Sequence, residues 1–141
     1  MTIEEYLQAQ KDSPGIQVPV PATVVMELRR RTGMGVLDAK QVLEGANSSL
    51  FFERLMTALI TQLGDEARYP LHDPIEDDPA LKAIFAQAEQ KAEKELESEK
   101  RQMRQMGFCH LHWVTLQRIL REEFGVEWFT PSEMNPHIIF D

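Results

Sequence analysis

Apolar residues in the first half of this chain recur at three- and four-residue spacing, which is the period of an α-helix with one buried face. The pattern runs over residues 22–63 and is broken twice, at Thr32-Gly33-Met34-Gly35 and at Gly45-Ala46-Asn47-Ser48-Ser49. Glycine accepts the left-handed conformation that often ends a helix. We therefore predict three short helices, from Ala22 to the first break, over about 36–45 and over about 50–63.

The N-terminal flank contains two further local signals. Thr2 and Glu5 form a capping-box pattern, which predicts a short helix over about 2–10. Residues 16–21 read Ile-Gln-Val-Pro-Val-Pro, and the two prolines disfavour helix before them. This stretch is expected to be extended, either as an edge strand or as a polyproline-like arm.

The clearest linker lies at residues 69–79, which are rich in proline and in acidic side chains. Pro79 suits the first turn of a new helix, with Asp78 as its cap. That helix is expected over about 80–105, and its second half is almost entirely charged or polar. A largely solvated helix with one thin apolar stripe follows from this composition.

The apolar spacing in the last third of the sequence predicts a second helix over about 108–123, followed by a short extended segment. Thr130 and Glu133 form a second capping box, with Pro131 at the first helical position. Residues 137–141 are an apolar tail that should pack on the core. The expected fold is mainly α, with a three-helix unit followed by a helical hairpin and a short extended C-terminal tail. The expected domains are 1–68 and 80–141, joined by the linker at 69–79.

Composition narrows the possible partners and cofactors. The 141 residues include 15 Lys and Arg against 23 Asp and Glu, for a net charge of −8, and a single cysteine. One cysteine excludes a disulfide framework and a cysteine-based zinc site, and an unpaired thiol favours the cytoplasm. The acidic balance argues against direct binding of nucleic acid or an anionic membrane. We expect no membrane span, no metal and no cofactor. A bound nucleotide is not expected, since the Thr-Gly-Met-Gly stretch lacks the Gly-Lys-Ser/Thr ending of a phosphate-binding loop.

A spaced set of residues in segment 25–47 carries a family resemblance. Its members are Leu28, Arg29, Thr32, Gly33, Gly35, Asp38, Lys40, Leu43, Ala46 and Asn47. They resemble the N-terminal ubiquitin-associated-like domain of elongation factor Ts and, more weakly, the C-terminal helix-turn-helix of the ribosomal stalk protein. Both families use this surface to engage translation factors, so the resemblance implies a protein-docking module. The Thr-Asp-Phe-Val segment that the elongation factor uses in nucleotide exchange is absent from this sequence.

The preferred hypothesis is a non-enzymatic module that docks a protein partner through the helix-turn-helix at 24–47. The partner would be a translation factor, the ribosome or a basic toxin, the last making this an acidic immunity or antitoxin-type protein. The expected docking residues surround the turn between the two helices. They are Arg29, Arg30, Met34, Gly35, Val36 and Lys40.

Two other groups of residues are weaker candidates for an interface. The linker carries an acidic patch that either docks a basic partner or is simply solvated. Its members are Asp73, Glu76, Asp77 and Asp78. Trp128 and Phe129 are candidate aromatic anchors if they are exposed, and core residues otherwise.

Two alternatives to the docking hypothesis stay open. The first is an enzyme that uses Cys109, His110 and His112. On a helix, however, the two histidines point roughly 200° apart and cannot chelate one metal ion. The second is a structural subunit that forms a homodimer through its long charged helix.

Overall fold

The first helix begins at the predicted capping box. The computed structural model describes residues 1–45, 50–62, 71–97 and 108–138, and in it helix α1 spans Ile3–Asp12. The Thr2 hydroxyl accepts the Glu5 N–H at 3.1 Å, and the Glu5 carboxylate accepts the Thr2 N–H at 3.3 Å. Both N–H groups would otherwise lack a partner at the start of a helix. The capping-box prediction is confirmed.

The chain after α1 is held by the buried side chain of Gln10. Its Nε2 donates to the carbonyls of Ser13 and Ile16, at 3.4 Å and 2.7 Å, and its Oε1 accepts the Val18 N–H at 3.1 Å. Residues 17–21 belong to no helix and no strand. The edge-strand alternative for this stretch is therefore wrong, and the irregular arm is what forms.

Three further helices follow in the first unit of the structure. Helix α2 spans Ala22–Thr32, α3 spans Val36–Gly45 and α4 spans Leu50–Thr61. Helix α1 packs against α4 and α2, with the Tyr6 and Phe52 rings edge to face at 5.3 Å. The N-terminal helix thus belongs to the core of this unit, which the expectation of a three-helix unit left out. Ser48 and Ser49, which precede α4 in the sequence and are candidates for its cap, lie outside the described residues.

The second unit is built on a helical hairpin. A 3-10 turn at Pro74–Asp77 and another at Pro79–Leu81 lead into α5, Lys82–Glu95. Helix α6, Phe108–Phe124, packs along α5. Their shared core buries the side chains of Ala88, Ala92, Leu116, Ile119, Leu120 and Trp128.

The ends of these elements test several local predictions. The Asp78 carboxylate accepts the Ala80 N–H at 2.9 Å, so Asp78 is the expected cap before Pro79. Helix α5 ends at Glu95, ten residues earlier than predicted, because the chain turns at Leu96 and Glu97. The remainder of the predicted helix, residues 98–105, lies outside the described residues.

The second capping box also forms at its predicted place. The short helix α7, Pro131–Met134, begins at Thr130, whose hydroxyl accepts the Glu133 N–H at 3.2 Å. In the tail beyond it, Ile138 is half-buried and its N–H donates to the Asn135 carbonyl at 3.0 Å. Residues 139–141 of the predicted packed tail lie outside the described residues.

The fold is mainly helical, as predicted, and the described residues contain no strand. The chain divides into two compact units, Met1–Leu71 and His72–Asp141. This boundary falls inside the segment that was expected to be a linker, and residues 72–79 belong to the second unit. None of the described helices combines the length and the apolar character that crossing a membrane requires.

Gly33 and Gly35 provide a matched test of the turn between α2 and α3. Gly33 has a φ of 78°, whereas Gly35 has no positive φ and open space where a Cβ would lie. Gly33→Ala should lower the free energy of unfolding by about 1–2 kcal/mol, because an L-residue is strained in the left-handed region. Gly35→Ala should change it by less than about 0.5 kcal/mol. Urea unfolding of both variants measures the difference, and equal effects would contradict this account.

Candidate functional site

The turn between α2 and α3 is held by short-range hydrogen bonds. The Gly33 N–H donates to the Arg29 carbonyl at 2.7 Å and closes the end of α2. The Thr32 hydroxyl donates to the Leu28 carbonyl at 2.6 Å and accepts the Met34 N–H at 3.2 Å. Arg29 Nε donates to the Met34 carbonyl at 3.3 Å. Both the backbone and one arginine side chain therefore hold this turn in a defined conformation.

Three large apolar side chains are exposed next to this turn. Met26 on α2 is 61% exposed, and Val36 and Leu37 at the start of α3 are 48% and 75% exposed. A shallow cleft of about 300 Å³ lies between the apolar and basic side chains at the end of α2. Its lining residues are Met26, Arg29, Arg30, Gly33 and Met34. These five residues, with Val36, Leu37 and Lys40, are called the corner surface below.

The corner surface is rimmed by positive charge. Arg30 forms an ion pair with Glu27 at 3.1 Å, and both side chains remain about half exposed. Lys40 is exposed and forms no ion pair within the described part of the chain. The cleft is lined by two arginines and by no acidic residue. Among nearby acids, Asp38 is exposed in the first turn of α3.

The structure sorts the six predicted docking residues into two groups. Arg30, Gly35, Val36 and Lys40 are exposed, and Arg29 is half-buried at the cleft. Met34 is only 7% exposed, so the expectation that its side chain is presented to a partner is wrong. Its side chain follows the turn inward and joins the core.

Sequence reasoning missed two exposed apolar residues, Met26 and Leu37. Both stand two positions away from the nearest residue of an inward-facing stripe, which consists of Val24 and Leu28 on α2 and of Ala39 and Leu43 on α3. An apolar residue outside the buried stripe of a predicted helix was the signal that would have found them.

The acidic patch is not the uniformly solvated group that was expected. Asp73 is fully buried, and its carboxylate accepts the N–H groups of Ile75 at 3.1 Å and Phe129 at 2.9 Å. It therefore joins the first 3-10 turn to the segment before α7. The Asp77 carboxylate lies 2.7 Å from His72 Nε2 and accepts a hydrogen bond in the tautomer that carries a proton on that nitrogen. The Asp-Pro pair at 73–74 repeats the cap signal of 78–79, which would have revealed the bond to Ile75 but not the bond to Phe129.

Trp128 is a core residue rather than an exposed anchor. Its indole packs edge to face on Phe85 at 6.3 Å, and its Nε1–H donates to the Glu76 carboxylate at 3.0 Å. Burial raises the pKa of Glu76, and the Trp128 hydrogen bond and the nearby His72 only partly oppose that effect. Phe129 is half-buried. The aromatic-anchor hypothesis is thus wrong for the Trp128 side chain.

The Cys109, His110 and His112 side chains do not form one cluster. His112 Nε2 contacts the Glu89 carboxylate of α5 at 2.9 Å, whereas the His110 ring lies against Trp113 at 5.4 Å. Cys109 is half-buried. Within residues 1–45, 50–62, 71–97 and 108–138, no group of three metal-binding side chains is placed to hold an ion.

Comparison with known proteins adds no assignment to this geometry. The chain matches no known family model, no curated protein and no solved structure. The resemblance of residues 25–47 to elongation factor Ts therefore stays a prediction. The corner surface is the feature from which a function is best argued, since it combines exposed apolar groups with a defined backbone.

Asp73 is expected to be a structural residue of the second unit. Asp73→Ala leaves two N–H groups without their acceptor, so it should lower the free energy of unfolding by about 2–4 kcal/mol. Asp77→Ala removes a surface carboxylate of the same turn and should cost less than about 1 kcal/mol. Urea unfolding of the two variants provides the comparison. An effect of Asp73→Ala as small as that of Asp77→Ala would show that the buried carboxylate is not needed.

The raised pKa of Glu76 predicts a pH dependence of stability. The native state binds the Glu76 proton more tightly than the unfolded state, so the contribution of Glu76 falls as the pH rises above about 4.3 toward its native pKa. The stability of the wild type relative to Glu76→Gln should therefore decrease over this window. Glu93→Gln, which removes an exposed carboxylate on α5, is the charge-matched control. Parallel pH profiles for the wild type and Glu76→Gln would refute the prediction.

Proposed function

We propose that this chain is a non-enzymatic protein-binding module that docks its partner through the corner surface. The observation that carries the proposal is the exposure of Met26, Val36 and Leu37 beside one hydrogen-bonded turn. Single exposed apolar side chains are common, but several of them near one turn are typical of interaction sites. Covering these side chains with a partner would remove apolar surface from water, which is the main driving force of association.

The defined geometry of the turn supports the same proposal. Arg29 Nε and the Thr32 hydroxyl both bind backbone groups of the turn, at Met34. A surface that already has its bound conformation loses little conformational entropy when a partner binds. This turn therefore has the preorganisation that a docking site needs.

The resemblance of residues 25–47 to the elongation factor Ts domain points to a translation-associated partner. Its matched residues include Arg29, Gly33 and Lys40 of the corner surface. The immunity or antitoxin alternative rested on the negative charge of the chain and on its acidic patch. It has less support, because Asp73 is buried and the Glu76 carboxylate accepts the indole N–H of Trp128. Glu76, Asp77 and Asp78 are exposed.

The enzyme and homodimer alternatives also have less support than docking. His110 lies against Trp113 and His112 contacts Glu89, so these contacts give no support to a site shared by the two histidines. Helix α5 packs its apolar residues Ala88 and Ala92 against α6 within the same unit. No large apolar side chain of α5 is exposed over the described residues 82–95, which leaves little surface for a coiled coil.

A pull-down with two matched variants tests the docking proposal. Leu37→Asp places a charge in the corner surface, whereas Val114→Asp does the same at a 59% exposed position of α6. Both changes are at the surface and should alter stability by less than about 1 kcal/mol, which urea unfolding checks. Proteins recovered with the tagged wild type are identified and quantified by mass spectrometry. A specific partner should be reduced at least about tenfold by Leu37→Asp and retained by Val114→Asp.

The same experiment has a clear contrary outcome. If Leu37→Asp folds normally and retains every specific partner, the corner surface is not the docking site. Loss of the partner with Val114→Asp alone would move the interface to the second unit.

A further inference from the structure

The charge of the corner surface is opposite in sign to the net charge of the chain. The whole chain has a net charge of −8. The cleft at the turn is nevertheless lined by Arg29 and Arg30 and by no carboxylate. An interface is usually complementary in charge to its partner, because like charges placed opposite each other are costly. The local charge, rather than the net charge, therefore describes what this surface can accept.

The positive charges follow the exposed apolar residues at a helical spacing. Arg29 and Arg30 come three and four residues after Met26 on α2, and Lys40 comes four and three residues after Val36 and Leu37 on α3. Residues at this spacing are neighbours on one helix face. Each exposed apolar group thus has a cation one turn further along its own helix.

The side chain of Arg29 at the cleft is held in one orientation by a hydrogen bond. Its Nε–H is used by the Met34 carbonyl at 3.3 Å, and its Nη atoms form no hydrogen bond or ion pair within the described residues. A guanidinium held in this way keeps the edge formed by its two Nη groups available, in a geometry that suits a carboxylate. Arg30 is partly neutralised by Glu27, so Arg29 and Lys40 are the stronger cations of the surface.

We propose that the occupant of the corner surface is an acidic amphipathic helix of a partner protein. Its apolar face would cover Met26, Val36 and Leu37, and its carboxylates would meet Arg29 and Lys40. This inference rests on the proposed docking function and adds the chemistry of the partner. It also changes an earlier expectation, since the net charge of the chain had favoured a basic partner.

Other occupants fit the surface less well. A nucleic acid would satisfy the cations but would leave the three apolar side chains facing a phosphate backbone. A small molecule would find an open cleft of about 300 Å³, at the lower limit of the roughly 300–1,000 Å³ typical of ligand pockets. A helix that spans α2 and α3 uses both the apolar groups and the charges.

Binding of model peptides to the 141-residue chain tests the sign of the partner's charge. Three fluorescein-labelled amphipathic helices share one leucine face and carry Glu, Gln or Lys beside it. Fluorescence anisotropy should show the Glu peptide binding at least about tenfold more tightly than the Lys peptide, with the Gln peptide between them. Raising the salt from about 50 mM to about 500 mM should reduce this preference several-fold. A single-stranded oligonucleotide is titrated in parallel.

Two charge-reversal variants locate the effect. Lys40→Glu should weaken binding of the Glu peptide by about fivefold or more and should strengthen binding of the Lys peptide. Lys82→Glu makes the same change of charge at an exposed position at the start of α5 and should leave both affinities within about twofold. Leu37→Ser should weaken binding of all three peptides alike, since it removes apolar contact without changing charge.

The outcomes separate this inference from the proposed function. Tighter binding of the Lys peptide, equal binding of all three, tighter binding of the oligonucleotide, or no peptide binding at about 1 mM would overturn the acidic-helix inference. Self-association that Leu37→Asp abolishes, detected by light scattering, would also overturn it by making a second copy the occupant. In each case a cellular partner lost with Leu37→Asp would still support docking. Retention of every partner by that variant would refute docking itself.

Discussion

The left-handed backbone at Gly33 is the constraint on which the corner surface depends. It ends α2 while the Thr32 hydroxyl and the Arg29 side chain hold the next residue, so α3 restarts within three residues. Because Met34 turns inward, the apolar groups left outside are Met26, Val36 and Leu37. The same turn therefore determines both which side chains build the core and which remain available to a partner.

A buried carboxylate has the corresponding role in the second unit. Asp73 accepts two backbone N–H groups that are far apart in sequence and thereby joins the 3-10 turn to the chain before α7. Next to it, Glu76 accepts the indole N–H of Trp128, which packs in the hairpin core. Asp73 and Glu76, two of the acidic residues that read as a solvated linker, thus form hydrogen bonds that join distant parts of the second unit.

Local interactions were predictable because both partners lie within four residues of each other. The capping boxes at Thr2 and Thr130 and the Asp78 cap form as expected, and Gly33 has the left-handed conformation that was assigned to it. The helical period likewise located α2, α3 and α6. Of the expected docking residues, the charged ones lie at the surface or the cleft, since desolvating an unpaired charge is costly. Met34 could not be placed in this way, because an apolar residue in a turn packs inward or outward according to what lies beneath it.

The sequence by itself determined the mainly helical fold, the starts of several helices and the turn at Gly33, since hydrogen bonds and backbone preferences over a few residues decide them. Only the tertiary structure decided that α1 joins the core of the first unit, that Asp73 and Trp128 are buried, and that Met26 and Leu37 are exposed. These outcomes depend on contacts between residues distant in sequence, and Asp73 and Phe129 are an example, at 56 residues apart. Burial is a property of the packed unit as a whole, which no local pattern specifies.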